Sequence, residues 1–256
     1  MKKTFTLALC FALLVFGNLY AQDATDVAAE QTFPEENPLK DLKPYYVRLQ
    51  YVNTLGESAD FYGNGFGAEF GRNFYFKTKL FGLIVPGIDI TFAEFAIAFG
   101  DRYNYNEHYD SNTAVIYRNG TRANFYTDDG FLSTVGVKIG PVFSYNIVDE
   151  LYADLYFKYA PAFVWGGRRV YFEEMSNSHN VIDKDFSMSA GFAHRFSTGL
   201  NIKYNRFSFG LEFIFGSTTL HYAADIMPKQ TGNGWNLTDE RRMGLNTLKI
   251  NIAYLF

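Results

Sequence analysis

From about residue 45 to the C-terminus, large apolar residues recur at every second position. The last segment is the clearest: Asn246, Leu248, Ile250, Ile252, Tyr254 and Phe256 alternate with Leu245, Thr247, Lys249, Asn251 and Ala253. Successive side chains of a strand point to opposite faces, so this period predicts a strand with one apolar and one polar face. The same alternation over 45–53, 65–76, 83–99, 131–147, 151–165, 186–204 and 207–215 predicts seven more. In 83–99 the parity changes: Ile88, Ile90 and Phe92 share one face, Phe95, Ile97 and Phe99 the other. A bulge near Ala93–Glu94 reconciles them and turns Glu94 to the polar side. Arg72 is the one charge that falls on an apolar face of 65–76.

The connections alternate in length. Those around Lys77–Lys79, Val148–Glu150 and Asn205–Arg206 are short, and those at 100–130, 167–185 and 217–243 are long. The first long-side connection, around Leu55–Asp60, is modest. An even number of strands with short turns at one end and long loops at the other predicts an all-β fold: an eight-stranded antiparallel up-and-down transmembrane β-barrel. A soluble barrel or sandwich of this size fills its interior with large apolar side chains. Here the large residues share the face that carries aromatics at both ends, whereas Gly, Ser, Thr and charge occupy the other, which is the inside-out arrangement.

Residues 44–256 resemble small bacterial outer-membrane β-barrels of the OmpA/OmpX type. The ending Leu248-Lys249-Ile250-Asn251-Ile252-Ala253-Tyr254-Leu255-Phe256 resembles the signal such proteins present to the barrel-insertion machinery, with Ile252, Tyr254 and Phe256 as its outward residues. The resemblance implies a bacterial outer-membrane location, insertion from the periplasm, both ends periplasmic and long loops outside the cell. It implies lipid and lipopolysaccharide as surroundings and no single activity.

The N-terminus reads as an export signal. Lys2 and Lys3 precede an apolar run from Leu7 to Phe16, too short to span a bilayer as a helix, and Ala21 precedes Gln22 at the expected cleavage point. Leu9 stands where a lipoprotein signal needs a small residue before its cysteine, so Cys10 reads as part of the discarded signal. Residues 1–21 are thus a signal peptide, 22–43 an acidic flexible periplasmic linker broken by Pro34 and Pro38, and 44–256 the barrel. A single cysteine excludes an internal disulfide and a cysteine-based zinc site, and a net charge of −4 argues against a nucleic-acid partner.

Inward parity collects Arg48, Lys138, Lys158, Arg195 and Lys249 against Glu69, Asp89, Glu94, Asp154 and Glu212. Five bases opposite five acids, in an interior that side chains nearly fill, read as an internal ion-pair network that blocks a general pore. The rival reading is a narrow channel, or a lateral conduit for small apolar solutes. A second rival is a barrel enzyme acting on lipid A or peptides, which needs a histidine beside a serine or carboxylate at the outer rim. His108 and His179 lie in long loops, His194 reads as a residue near the periplasmic headgroups, and His221 stands four before Asp225. None makes a recognisable pair, so no catalytic residue is assigned and the chain is expected to be non-enzymatic. Asp101, Asp110, Asp128 and Asp129 lack the spacing of a calcium loop, and no metal or cofactor is expected. In 100–130, Asn119-Gly120 between alternating runs predicts a hairpin. Its tyrosines (Tyr103, Tyr105, Tyr109, Tyr117 and Tyr126) suit an extracellular ligand, as do the loops at 167–185 and 217–243. The expected role is envelope-structural or surface interaction.

Overall fold

The computed structural model describes residues 42–256, apart from 60, 78, 82, 101–102, 105–115, 119–120, 149, 175–180, 224–226, 232–233 and 239. For the strand residues within 103–129, 172–185 and 227–238 it describes the backbone alone. The predicted signal peptide, the Ala21/Gln22 cleavage point and the linker as far as residue 41 lie outside these residues.

Eight strands form the barrel: β1 Tyr45–Leu55, β2 Asn64–Tyr75, β3 Ile84–Gly100 and β4 Thr121–Val148. β5 consists of Leu151–Tyr159 and Ala162–Glu174, β6 is Val181–Tyr204, β7 is Phe207–Tyr222, and β8 consists of Glu240–Gly244 and Asn246–Leu255. Each pairs antiparallel with its sequence neighbours, and β1 pairs with β8, Tyr46 opposite Leu255, so the ring is closed. Paired residues can be followed around the ring from Thr54 through Thr247, Ile214, Ser197 and Lys158, then Gly140, Asp89 and Asn73. The path returns to β1 at Pro44, whose carbonyl accepts the Asn73 amide. The stagger is about ten residues, which for eight strands tilts them by about 40°.

Outward positions are apolar around the whole ring. Leu49, Phe70, Phe95, Val137, Leu155, Leu200, Leu211 and Ile250 are all exposed, on a surface that no other described part of the chain covers. A closed ring leaves no unpaired sheet edge, and such a surface is stable only against lipid, so the chain spans a membrane. At the short-turn end the outward residues are aromatic: Tyr45 stacks on Phe256 at 5.7 Å, and Phe207 meets Tyr254 at 5.8 Å. Arg72 lies here too, donating to the Tyr45 hydroxyl at 2.9 Å with its guanidinium over the rings of Tyr45 and Phe74. An arginine at this height reaches headgroups while its stem covers apolar surface, which accounts for a charge on the lipid side.

The bulge falls at Phe92. Ala93 pairs with Phe70 and Thr91 with Gly71, so Phe92 and Ala93 both face outward and Glu94 turns in. The turn at Asn205-Arg206 closes β6 onto β7 with Asn205 at φ 53°, a conformation asparagine tolerates. Arg118 pairs with Thr121 on either side of Asn119-Gly120, the predicted hairpin.

Four strands differ from expectation in length. About 9–11 tilted residues cross a bilayer, yet β4 has 28 residues and β6 has 24. β5 continues to Glu174 and β7 to Tyr222, so much of the sequence expected as loop at 100–130, 167–185 and 217–243 is paired sheet standing beyond the membrane. Sheet in water needs no apolar outer face, which is why the alternation fades there, as at outward Arg169 and Tyr171, although pairing continues.

The orientation predicts a depth-dependent penalty. Leu211 is 53% exposed at mid-β7, and Leu211→Arg should cost about 2–4 kcal/mol near the bilayer midplane, read by urea unfolding in lipid vesicles. At inward Gly210 even a Cβ would stand 2.7 Å from the Leu200 carbonyl oxygen, so Gly210→Arg should fail to fold through crowding. Parent-like folding of Leu211→Arg would contradict the assignment of faces.

Candidate functional site

The lumen holds the chemistry, and it is layered. At the short-turn end Leu42, at the close of the predicted linker, is buried against Val85 and Tyr152, with Tyr75 beside them. Tyr46, Ala253 and Leu255 form a second small apolar group. Above these come the charges, and above the charges a second apolar layer.

In the middle layer, strand pairing sets Arg48 directly opposite Glu69 and Glu69 directly opposite Glu94. Two carboxylates side by side repel, and the cations between them offset this. Arg48 Nη1 donates to Glu69 Oε2 at 2.8 Å, and Lys138 Nζ contacts Glu69, Glu94 (3.3 Å) and Glu212 (2.7 Å). Arg195 Nη2 holds Glu94 at 2.7 Å. Lys249 Nζ contacts Glu94, lies 3.8 Å from Glu69, and donates to Gln50 Oε1 at 2.9 Å. All of these side chains are buried. Below them Lys158 pairs with Asp89 at 3.1 Å, and the Tyr46 hydroxyl donates to Asp89 at 2.8 Å. Cation and ring also meet: Arg48 lies over Tyr46 and Lys158 over Tyr156, each at 4.4 Å. Glycines make room for these rings, since a Cβ at Gly71 would strike the Tyr46 hydroxyl and one at Gly199 the Tyr156 hydroxyl.

The expected balance of five bases and five acids is altered by two further buried inward bases, Lys203 and, in the upper layer, Arg168. Lys203, on the inward parity of β6, pairs with Asp154 at 2.5 Å and donates to the Tyr75 hydroxyl at 2.6 Å. Its parity in the sequence was the signal for it. Gln50, Thr91 and Tyr46 complete the network as neutral partners.

The upper layer was not legible in the alternation. After β1 the chain makes a short 3-10 turn, Gly56–Ser58, and then sends Phe61 and Tyr62 into the barrel mouth. They pack with Ala98, Leu132, Val164, Val170, Ala193, Leu220, Tyr222, Met243 and Leu245. Arg168 donates to the Phe61 carbonyl, its guanidinium lies 4.7 Å from the Phe61 ring and 4.5 Å from the Tyr62 ring, and Arg241 lies 4.3 Å from the Phe61 ring. Burial pushes the Tyr62 phenol above its ordinary pKa, and the Arg168 guanidinium offsets part of that rise.

The described histidines stand apart from the lumen. His194 was expected near the periplasmic headgroups. It pairs with Ser217 instead, well along β6 from the Asn205-Arg206 turn and toward the long-loop end. The reason is strand length: β6 continues far beyond one bilayer crossing in the direction opposite to that turn. His194 faces outward, with Nδ1 2.6 Å from the Tyr159 hydroxyl and its ring edge-on to Phe192. His221 lies 3.9 Å from Glu240, both exposed. His108, His179, Asp101, Asp110 and the side chains of Asp128, Asp129 and the five loop tyrosines lie outside the described residues. Ile252, Tyr254 and Phe256 all face outward on β8, and the Phe256 and Tyr45 backbones exchange two hydrogen bonds of 3.0 Å.

No protein family and no curated protein matches the chain in sequence. Two crystal structures of Ail, the attachment invasion locus protein of Yersinia pestis, are similar to it, one of them in complex with the heparin analogue sucrose octasulfate. Each is 14% identical, over 84% of this chain and 99% of that one, with TM-scores of 0.35 and 0.36.

Removing one member of the central network leaves its partners as uncompensated buried charge. Glu69→Gln strips Arg48, Lys138 and Lys249 of a shared counter-charge and should destabilise the barrel by about 3–5 kcal/mol, measured by urea unfolding in vesicles. Adding Arg48→Met to it should recover part of that loss. A Glu69→Gln barrel as stable as the parent would show that the network contributes nothing to the fold.

Proposed function

We propose that this chain is a non-enzymatic barrel of a bacterial outer membrane, closed to solutes, whose work is done by the sheet it raises beyond the membrane. The observation that carries the reading is the filling of the lumen. Buried ion pairs occupy its middle, and Phe61 and Tyr62 stop its mouth under Arg168 and Arg241. A side-chain-filled interior is what eight strands accommodate, and a conducting pore would need a polar, hydrated path in place of the apolar upper layer.

In this reading the aromatic outer face meets lipid and lipopolysaccharide, and Ile252, Tyr254 and Phe256 address the insertion machinery from the periplasm. The long strands β4 to β7 carry loops outward to an extracellular ligand or to neighbouring envelope components. Length supports this, because 28- and 24-residue strands exceed what a crossing requires and sheet of that extent is a rigid stand for binding loops.

Planar-bilayer recording on the refolded chain tests the closed lumen, and no steady conductance is expected. Large, steady currents that discriminate by ion sign would overturn the reading in favour of a selective pore. On intact cells, trypsin should cut at Lys229, between β7 and β8 on the long-loop side, and spare Lys77 and Arg206 at the short turns; the reverse pattern would overturn the orientation. Release of acyl chains from lipid A by the purified barrel, followed by mass spectrometry, would overturn its non-enzymatic character.

A further inference from the structure

The middle layer is not electrically neutral. Its connected ion pairs join four bases, Arg48, Lys138, Arg195 and Lys249, to three acids, Glu69, Glu94 and Glu212. The Lys158–Asp89 and Lys203–Asp154 pairs are each balanced by themselves. Among the described residues, one positive charge in the centre of the barrel therefore has no counter-charge, and every group in the cluster is buried. An uncompensated ion in a low-dielectric interior is costly, so it attracts an opposite charge wherever there is room for one.

Room exists on the side of the excess. Between the charged layer and the apolar cap lies a cavity of about 30 Å³, lined by Arg195 and Lys249 below, by Thr54, Thr134 and Thr247, and by Leu132 and Leu245 above. That volume suits one occupant of water or halide size. Two of its threonines are unsatisfied, since neither the Thr134 nor the Thr247 hydroxyl has a hydrogen-bond partner. A hydroxyl rotates freely and can donate to an anion. Arg195 spends Nε on the Ala160 carbonyl and Nη2 on Glu94, and Lys249 spends its ammonium on Gln50 and Glu94, so both still carry N–H groups beyond these contacts.

We propose that the barrel holds a small monovalent anion of halide size in this cavity, bound by Lys249, Arg195 and the hydroxyls of Thr134 and Thr247. The anion completes the charge balance of the middle layer and satisfies the two threonines together. It makes the filled lumen an anion-dependent structure, with the anion a fixed component and not a permeating one. Residues from four strands, β4, β6 and β8 with Thr54 of β1, converge on it, so its binding ties distant parts of the ring to one another.

The test uses the mature chain refolded and crystallised from sodium bromide. Anomalous diffraction should place one bromide in the cavity. Lys249→Met leaves three bases against three acids and should lose it. In detergent, the unfolding midpoint of the parent should be higher in sodium chloride than in sodium gluconate at equal ionic strength, and Lys249→Met should give equal midpoints in both salts. Thr134→Val and Thr247→Val leave the charge unchanged, and each should lower bromide occupancy; they stand in should Lys249→Met fail to fold. A cavity holding water alone, a bromide peak undiminished in all three variants, or parent midpoints equal in the two salts would overturn the proposal. So would nitrogen NMR showing Lys249 as a neutral amine in the parent.

Discussion

Ten residue pairs along β1 and β8, from Tyr46 opposite Leu255 to Leu55 opposite Asn246, turn a sheet into a ring. Lipid offers no hydrogen-bond partner to a backbone amide or carbonyl, so a sheet with open edges is unstable in a bilayer. Closure then dictates the rest. With eight strands and a stagger of about ten residues the lumen is narrow, alternate residues must go to lipid or to that lumen, and every polar group sent inward must find its partner there. The last residue takes part, because Phe256 is hydrogen-bonded to Tyr45 and stacked on its ring.

The inward residues solve this confinement by layering. Small apolar groups close the short-turn end, long charged side chains meet across the middle, and an apolar layer completed by a loop closes the top. The middle is the costly part. Buried pairs roughly balance desolvation against attraction, so their contribution is as much to register as to stability. A one-residue slip of β2, β4 or β8 would send Glu69, Lys138 or Lys249 into lipid and large apolar side chains into the lumen.

The outer and inner faces of the eight strands were legible in the sequence because lipid enforces apolarity at every second residue. The Phe92 bulge was legible for the same reason, as a change of parity. Other features carried no such imprint. The pairing of Lys203 is one of them: parity marks the residue as inward, but its partner Asp154 lies on a neighbouring strand far away in sequence. Phe61 and Tyr62 form no alternating run, and their burial depends on residues of six strands that meet only once the ring is closed. The raised sheet of β4 to β7 stands in water, where pairing continues without the apolar pattern that marks it elsewhere, and that unmarked extension is why His194 stands nearer the long-loop end than its sequence surroundings suggest.

Inverted faces and a filled lumen can be read together by chemical accessibility. The one cysteine of the chain, Cys10, lies in the predicted signal, so a barrel prepared from residue 22 onward accepts single cysteines without background. Four positions suffice: Phe209 and Ile252, which face outward, and Ser208 and Asn251, which are buried inward. In lipid vesicles, cysteines at 209 and 252 should react with a maleimide dissolved in the bilayer and resist a charged one in water, and cysteines at 208 and 251 should resist both. Reaction of 208 and 251 with the charged reagent would reveal an open aqueous lumen, and their reaction with the lipid-dissolved one would show that the faces are assigned the wrong way round.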